Sequence, residues 1–250
     1  MAALPEPPPE ARRLFGARLP LAQRYAELLA TDGLTRGLLG PREVARLWPR
    51  HLLNCVAAAE LVAPDTPVLD LGSGAGLPGI VWAIARPDLT VTLVEPAARR
   101  TGFLEECVHE LALDGVRVVR ARAEELAGVL AAPVVTARAV APLDRLLGWA
   151  LPLVAVPGEL LALKGARAAA ELAAAEPLLA QWQAQGQAQG QAQGQAQGST
   201  RWQAQGPTQG PARCRVAAEV VTCGRGLVPE PTTVVRIRLA PAAPAARGRG

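Results

Sequence analysis

Between residues 66 and 180 the chain alternates short apolar runs with longer stretches in which apolar positions recur every three or four residues. Short runs bounded by Gly, Pro and Asp read as buried strands, and the longer periodic stretches as helices. The pattern predicts strands over 67–71, 90–95, 116–120, 134–137 and 159–163. Helices are predicted over 79–85, 97–112, 123–130, 143–151 and 167–179. Strand, helix, strand in strict succession calls for a mostly parallel sheet covered on both faces.

Ahead of this core, two helical segments punctuated by proline are expected, over 21–31 and 41–62. The second is interrupted at Trp48-Pro49, where proline can open a new helix. After the core, Gln-Ala-Gln-Gly repeats four times from Gln183 to Gly198, and a fifth copy ends at Gly206. Side chains no larger than alanine beside a glycine every fourth residue bury too little surface to offset their ordering entropy. The repeats are therefore expected to be a disordered insert. Beyond it, the segments 214–222 and 232–239 alternate and are rich in β-branched residues, as closing strands should be. The expected organisation is a helical cap over 1–64, a core over 65–180, the insert over 181–211, closing strands over 212–240 and a disordered basic tail over 241–250.

Charge and cysteine content narrow the classes. Residues 1–180 carry 18 basic and 20 acidic side chains, whereas residues 181–250 carry 8 and 2, so the excess of positive charge belongs to the C-terminal quarter. Net charge is thus weak evidence for an RNA-binding core. Arginine outnumbers lysine 25 to 1, and Lys164 is the only lysine. Cys55, Cys107, Cys214 and Cys223 form no Cys-x-x-Cys pair and are too sparse for a disulfide framework, so buried thiols and no metal are expected. The proline-rich, acidic N-terminus lacks the apolar stretch of a signal peptide, and no apolar run is long enough to span a bilayer. These features predict a cytoplasmic protein with no membrane partner.

Candidate chemistry begins at the first strand, where Val68-Leu69-Asp70-Leu71 runs into Gly72-Ser73-Gly74-Ala75-Gly76-Leu77-Pro78-Gly79. Glycines there let the backbone turn sharply and approach a ligand at the carboxyl edge of the sheet. Two registers fit. Gly74-x-Gly76-x-x-Gly79 satisfies a dinucleotide fingerprint, and Asp70-x-Gly72-x-Gly74-x-Gly76 satisfies the acid-then-glycine ladder of class I methyltransferases. A pyrophosphate disfavours a nearby anion, while the ammonium of S-adenosylmethionine tolerates one, so Asp70 favours the methyl donor. Glu95, ending the next strand, stands where an acid accepts bonds from two ribose hydroxyls in either case. Glu124, just after the third strand, is a candidate for the adenine.

Several runs together resemble the bacterial family that methylates a guanine N7 of 16S ribosomal RNA, formerly called glucose-inhibited division protein B. They are Arg50-His51-Leu52-Leu53, Asp70 to Gly79, Arg122 to Leu126, Thr136-Ala137-Arg138-Ala139 and Leu163-Lys164-Gly165, in family order. The resemblance implies an α/β class I methyltransferase Rossmann-like fold, with a mostly parallel seven-stranded sheet and an N-terminal helical cap. It further implies S-adenosyl-L-methionine as methyl donor, 16S rRNA or the small ribosomal subunit as partner, and a target in the 530 loop. By the same resemblance Gly72, Leu77, Ala123, Glu124 and Arg138 would contact the donor, and Arg138 and Lys164 would lie close to the RNA. Asn54-Cys55 and Gly33-Leu34-Thr35 depart from the family pattern, as do the tetrapeptide repeats.

The chemistry agrees with that assignment. Guanine N7 presents an in-plane lone pair, so methyl transfer needs alignment rather than a general base. No Asn-Pro-Pro-Tyr-like motif for exocyclic amines and no Pro-Cys nucleophile for pyrimidine C5 is present. Arg138 and Lys164 are the candidate catalytic residues: Arg138 to orient donor or guanine through its fork, Lys164 to hold a phosphate as a point charge. With aromatics at 3%, stacking platforms are few, which favours recognition of a preformed RNA shape. Competing readings are a class I methyltransferase acting on a small molecule or protein, a dinucleotide-dependent oxidoreductase, and a non-catalytic RNA-binding module.

Overall fold

The computed structural model describes residues 4–189 and 214–241. Seven strands form one sheet in the order β3-β2-β1-β4-β5-β7-β6. They are β1 (Pro67–Leu71), β2 (Thr90–Val94), β3 (Val116–Val119), β4 (Ala132–Arg138), β5 (Val154–Lys164), β6 (Cys214–Cys223) and β7 (Thr232–Pro241). All neighbours pair in parallel except β7, which runs antiparallel to both β5 and β6. The chain winds outward from β1 to β3 and then crosses back to β4 on the other side of β1. Such a reversal opens a crevice at the carboxyl ends of the strands, where ligands of α/β sheets bind.

Among the described residues eight α-helices cover the sheet: α1 (Pro9–Phe15), α2 (Leu19–Leu28), α3 (Leu53–Ala58), α4 (Gly79–Ala85), α5 (Ala98–Glu110), α6 (Ala123–Leu126), α7 (Leu143–Ala150) and α8 (Ala168–Gln189). One apolar cluster joins α1 to α5 to the sheet face that carries Val68, Val91, Leu93 and Val134. The other joins α7 and α8 to the opposite face through Leu69, Leu71, Val135, Ala137 and Leu160. Alternate strand residues thus enter different clusters, as the two-residue period of a strand requires. Helix α4 is buried on nearly every side because cap and sheet enclose it, and Trp82 Nε1 donates to the Cys55 carbonyl at 2.7 Å. Its continuous apolar run is the mark of an enclosed helix.

Apart from shifted element ends, as at β5, which starts at Val154, and α6, which ends at Leu126, three differences between the predicted pattern and the fold matter most. Helix α1 was not anticipated; Pro8 and Pro9 introduce it, and Ala11 and Phe15 bury one helical turn apart. The predicted helix over 41–62 is instead a tight turn (Pro41–Arg46), a wide turn (Leu47–Leu52), α3 and a further tight turn (Ala59–Leu61), because Pro49 cannot donate to the preceding turn. Helix α8 does not stop near residue 179. It continues through Gln189 into the first repeats, with Trp182 packed on the sheet and the Gln183 side-chain oxygen accepting from the Val216 amide at 3.2 Å. Residues 181–189 of the expected disordered insert are therefore helical, and residues 190–213 and the tail beyond 241 lie outside the described residues. No helix among the described residues is long and apolar enough to cross a membrane.

Candidate active site

The ends of β1 to β4 and the segments that follow them enclose a cavity of about 420 Å³, lined by Gly72, Glu95, Arg100, Arg122, Ala123, Glu124, Ala139, Val140 and Trp149 among others. Gly72 opens the glycine loop at φ +65°, and a Cβ there would stand 2.7 Å from Val140 Cγ2, closer than side chains approach. Only glycine lets the loop pass Val140. Glu95 is buried at the floor. Its carboxylate accepts from the Gly74 amide at 3.0 Å and the Ala97 amide at 3.0 Å, with Arg100 3.6 Å away. Each oxygen retains acceptor capacity, since a carboxylate offers about four lone-pair sites. Glu124 lies in the first turn of α6, whose entry is fixed by the Arg122 amide donating to Glu125 at 2.9 Å. A glycine edge, the buried acid Glu95 and the acid Glu124 at the start of α6 thus line one cavity at the carboxyl edge of the sheet.

A second, larger cavity of about 780 Å³ adjoins the first. Arg50, Asn54, Arg138, Lys164, Arg167 and the turn Glu230 to Thr233 line it. Ala139 and Val140 line both cavities, so the segment after β4 is the wall between them. Ala139 adopts φ +54°, a left-handed conformation that costs a residue bearing a Cβ on the order of 1–2 kcal/mol. Surrounding contacts must hold it there.

Of the residues singled out in the sequence, Gly72, Glu95, Ala123 and Glu124 meet in the first cavity, and Arg138 and Lys164 meet in the second. Asp70, Gly74 and Leu77 line neither. Asp70 lies wholly buried beneath the glycine loop: Oδ2 accepts from the Gly79 amide at 3.1 Å and Oδ1 has no partner among the described residues. Burial pushes its carboxyl up to about 7. Gly74 serves through its amide on Glu95. Asp70 therefore lies beneath the loop and off the cavity surface, whereas the sequence reading counted it among the donor-binding candidates.

Arg138 was expected to reach both donor and RNA with a free fork, yet the guanidinium is committed to the cap. Nη1 donates to the His51 carbonyl (3.4 Å) and Cys55 Sγ (3.0 Å), and Nη2 to the Arg50 carbonyl (3.1 Å) and His51 Nδ1 (2.8 Å). Because Nδ1 accepts, His51 carries its proton on Nε2, which donates to Glu43 at 2.7 Å. Burial, and then the charge of Arg138, hold the His51 imidazole below its usual range, so it is neutral. Among the described residues only Nε of Arg138 is left without a partner. Lys164 is likewise engaged: Nζ donates to the Glu171 carboxylate and to the Ala141 carbonyl, both at 2.8 Å.

Sequence reasoning missed Val140, Trp149 and Glu171. None stands in a recognisable motif, and each reaches the site only through tertiary packing. Tyr25 was also missed; its hydroxyl donates to the Ala75 carbonyl at 2.6 Å and ties the cap to the glycine loop.

A model of the rRNA small subunit methyltransferase G family matches residues 18–197. The ribosomal RNA small subunit methyltransferase G of Thermobifida fusca is 63% identical over 175 residues, covering 70% of this chain and 74% of that protein. The protein of the same name from Salinispora tropica is 51% identical over 261 aligned positions, covering 98% and 95%. Among solved structures, Pyrococcus horikoshii TYW2 in complex with MeSAdo superposes with a TM-score of 0.52 at 12% identity, covering 78% of this chain and 64% of that one. Trm5b from Pyrococcus abyssi gives 0.50 at 12% identity, covering 81% and 50%. At such low identity the likeness is one of fold.

Proposed function

The chain belongs to the rRNA small subunit methyltransferase G family, and from that premise we propose that it transfers a methyl group from S-adenosyl-L-methionine to N7 of a guanine in the 530 loop of 16S rRNA, acting in the cytoplasm on the small ribosomal subunit or its RNA. The observation that carries this reading is the pair of cavities meeting across one thin wall, Ala139-Val140, at the carboxyl edge of the sheet.

In this assignment the first cavity holds the donor. Glu95 accepts from the ribose hydroxyls, the Gly72 backbone permits close approach, and Ala123-Glu124 face the adenine. Bound there, the donor supplies an electrophilic sulfonium methyl. The second cavity receives the guanine past Arg50 and Arg138. N7 already bears its lone pair at neutral pH, so the chain's task is to hold that atom in line with the methyl at about 3–3.5 Å. Arg138 contributes a rigid edge fixed to the cap and one N–H toward the base, rather than a bidentate fork. A fork laid across O6 and N7 would in any case cover the lone pair that must attack. Arg50 and Arg167, exposed at the rim, suit the RNA backbone.

The test is transfer of labelled methyl from S-adenosyl-L-methionine to purified small ribosomal subunits, free guanine nucleotides and total protein in parallel. Label confined to 16S rRNA supports the reading. Label on protein or on free nucleotide alone rejects it.

A further inference from the structure

The wall between the two cavities carries backbone strain and is gripped by residues of other elements. Ala139 stands in the left-handed region, and residues 139–142 follow directly on β4 with no secondary structure to fix them. What fixes them comes from β5 and α8. Glu171, in the first turn of α8, accepts from the Leu143 amide at 3.0 Å and from Lys164 Nζ at 2.8 Å through the same oxygen, Oε2. Lys164, ending β5, uses another proton on the Ala141 carbonyl at 2.8 Å. The segment is thus gripped at its C-terminal end, by the Ala141 carbonyl and by the amide of Leu143, the first residue of α7. The lysine side chain is only 10% exposed and that of Glu171 23%, so solvent competes weakly for these bonds.

We propose that Glu171 is a positioning residue for methyl transfer: with Lys164 it forms a clamp that sets the Ala139-Val140 wall and thereby the alignment of base and donor. The proposal rests on the assignment of the two cavities to donor and base. It gives the chain's only lysine a role for which arginine is a poor replacement. A compact ammonium can direct separate protons to a carboxylate and a carbonyl on different elements, whereas a planar guanidinium fixes the directions of its donors.

Single-turnover methyl transfer to small ribosomal subunits, with donor titrations and thermal melts, tests this on wild type, Glu171→Ala, Lys164→Met and the double variant. Each single change is expected to slow the step about 10-fold or more, because displacement of a reacting centre by about an ångström costs rate steeply. Donor Kd should move by less than about threefold, since the lost interaction acts on alignment rather than on uniform binding. The double variant should be no slower than the slower single, because either change opens the same clamp. The isosteric Glu171→Gln should show the same loss in milder form with an unchanged melting temperature, which a merely structural role would not produce. Wild-type rate in Glu171→Ala or Glu171→Gln, or multiplying defects in the double variant, overturns the clamp. Absence of transfer by the wild type instead overturns the cavity assignment on which the clamp rests.

Discussion

Asp70 offers the sharpest thermodynamic test of the site's construction. Its carboxyl is fully buried, one oxygen has no partner among the described residues, and desolvation raises it from 3.8 to about 7. A raised carboxyl means that the folded state holds its proton where the unfolded state has lost it. The associated stability is complete below pH 3.8, declines as pH climbs toward 7, and is gone above the folded value. The rise corresponds to about 4 kcal/mol between the two protonation states, and relaxation of the loop on charging brings the expected effect to about 2–4 kcal/mol. Asp70→Asn removes the ionisation while keeping an oxygen for the Gly79 amide. The variant should match the wild type near pH 4, gain steadily through pH 7, and hold a constant advantage of about 2–4 kcal/mol above pH 8. Urea denaturation of both proteins from pH 4 to pH 9 at fixed ionic strength measures that difference directly. A difference that does not change with pH would refute the reasoning, and one that grows toward acid would reverse its sign.

Two further outcomes follow from other parts of the site. Gly72→Ala places a Cβ 2.7 Å from Val140 Cγ2 at a positive φ, so donor affinity by calorimetry should fall at least about 10-fold in a folded protein. The neutral His51 that accepts from Arg138 must be protonated in acid; with its pKa lowered in the fold, it withdraws stability as pH falls from about 6.5 toward the folded value. Melting temperatures of wild type and His51→Gln should accordingly converge below pH 6, and a gap independent of pH would exclude the neutral, Nε2-protonated form.

The sheet was legible in the sequence because burial on two faces writes strands as continuous apolar runs, and β1 and α4 fall where the pattern places them. The glycine loop and Glu95 were legible for a related reason: backbone approach demands glycine, and a strand-end acid follows at a fixed distance. That Arg138 and Lys164 stand at the carboxyl edge of the sheet was legible, but the contacts they make were not. Their partners, Arg50, His51 and Cys55 for one and Ala141 and Glu171 for the other, are set by packing, in the first case across more than 80 residues of chain. Entropy reasoning placed the end of α8 too early because it weighed the repeats alone. Gln183 gains an ordered partner only once β6 lies beside it.

The central claim, that this chain methylates N7 of a guanine in the 530 loop of 16S rRNA, is tested most directly by mass-spectrometric mapping of 16S rRNA from a strain lacking the gene, alongside the same strain carrying the wild-type chain or Gly72→Ala. The account predicts that one 7-methylguanosine in that loop disappears on deletion, returns with the wild-type chain and stays low with the variant. Undiminished 7-methylguanosine at that guanine in the deletion strain would contradict it.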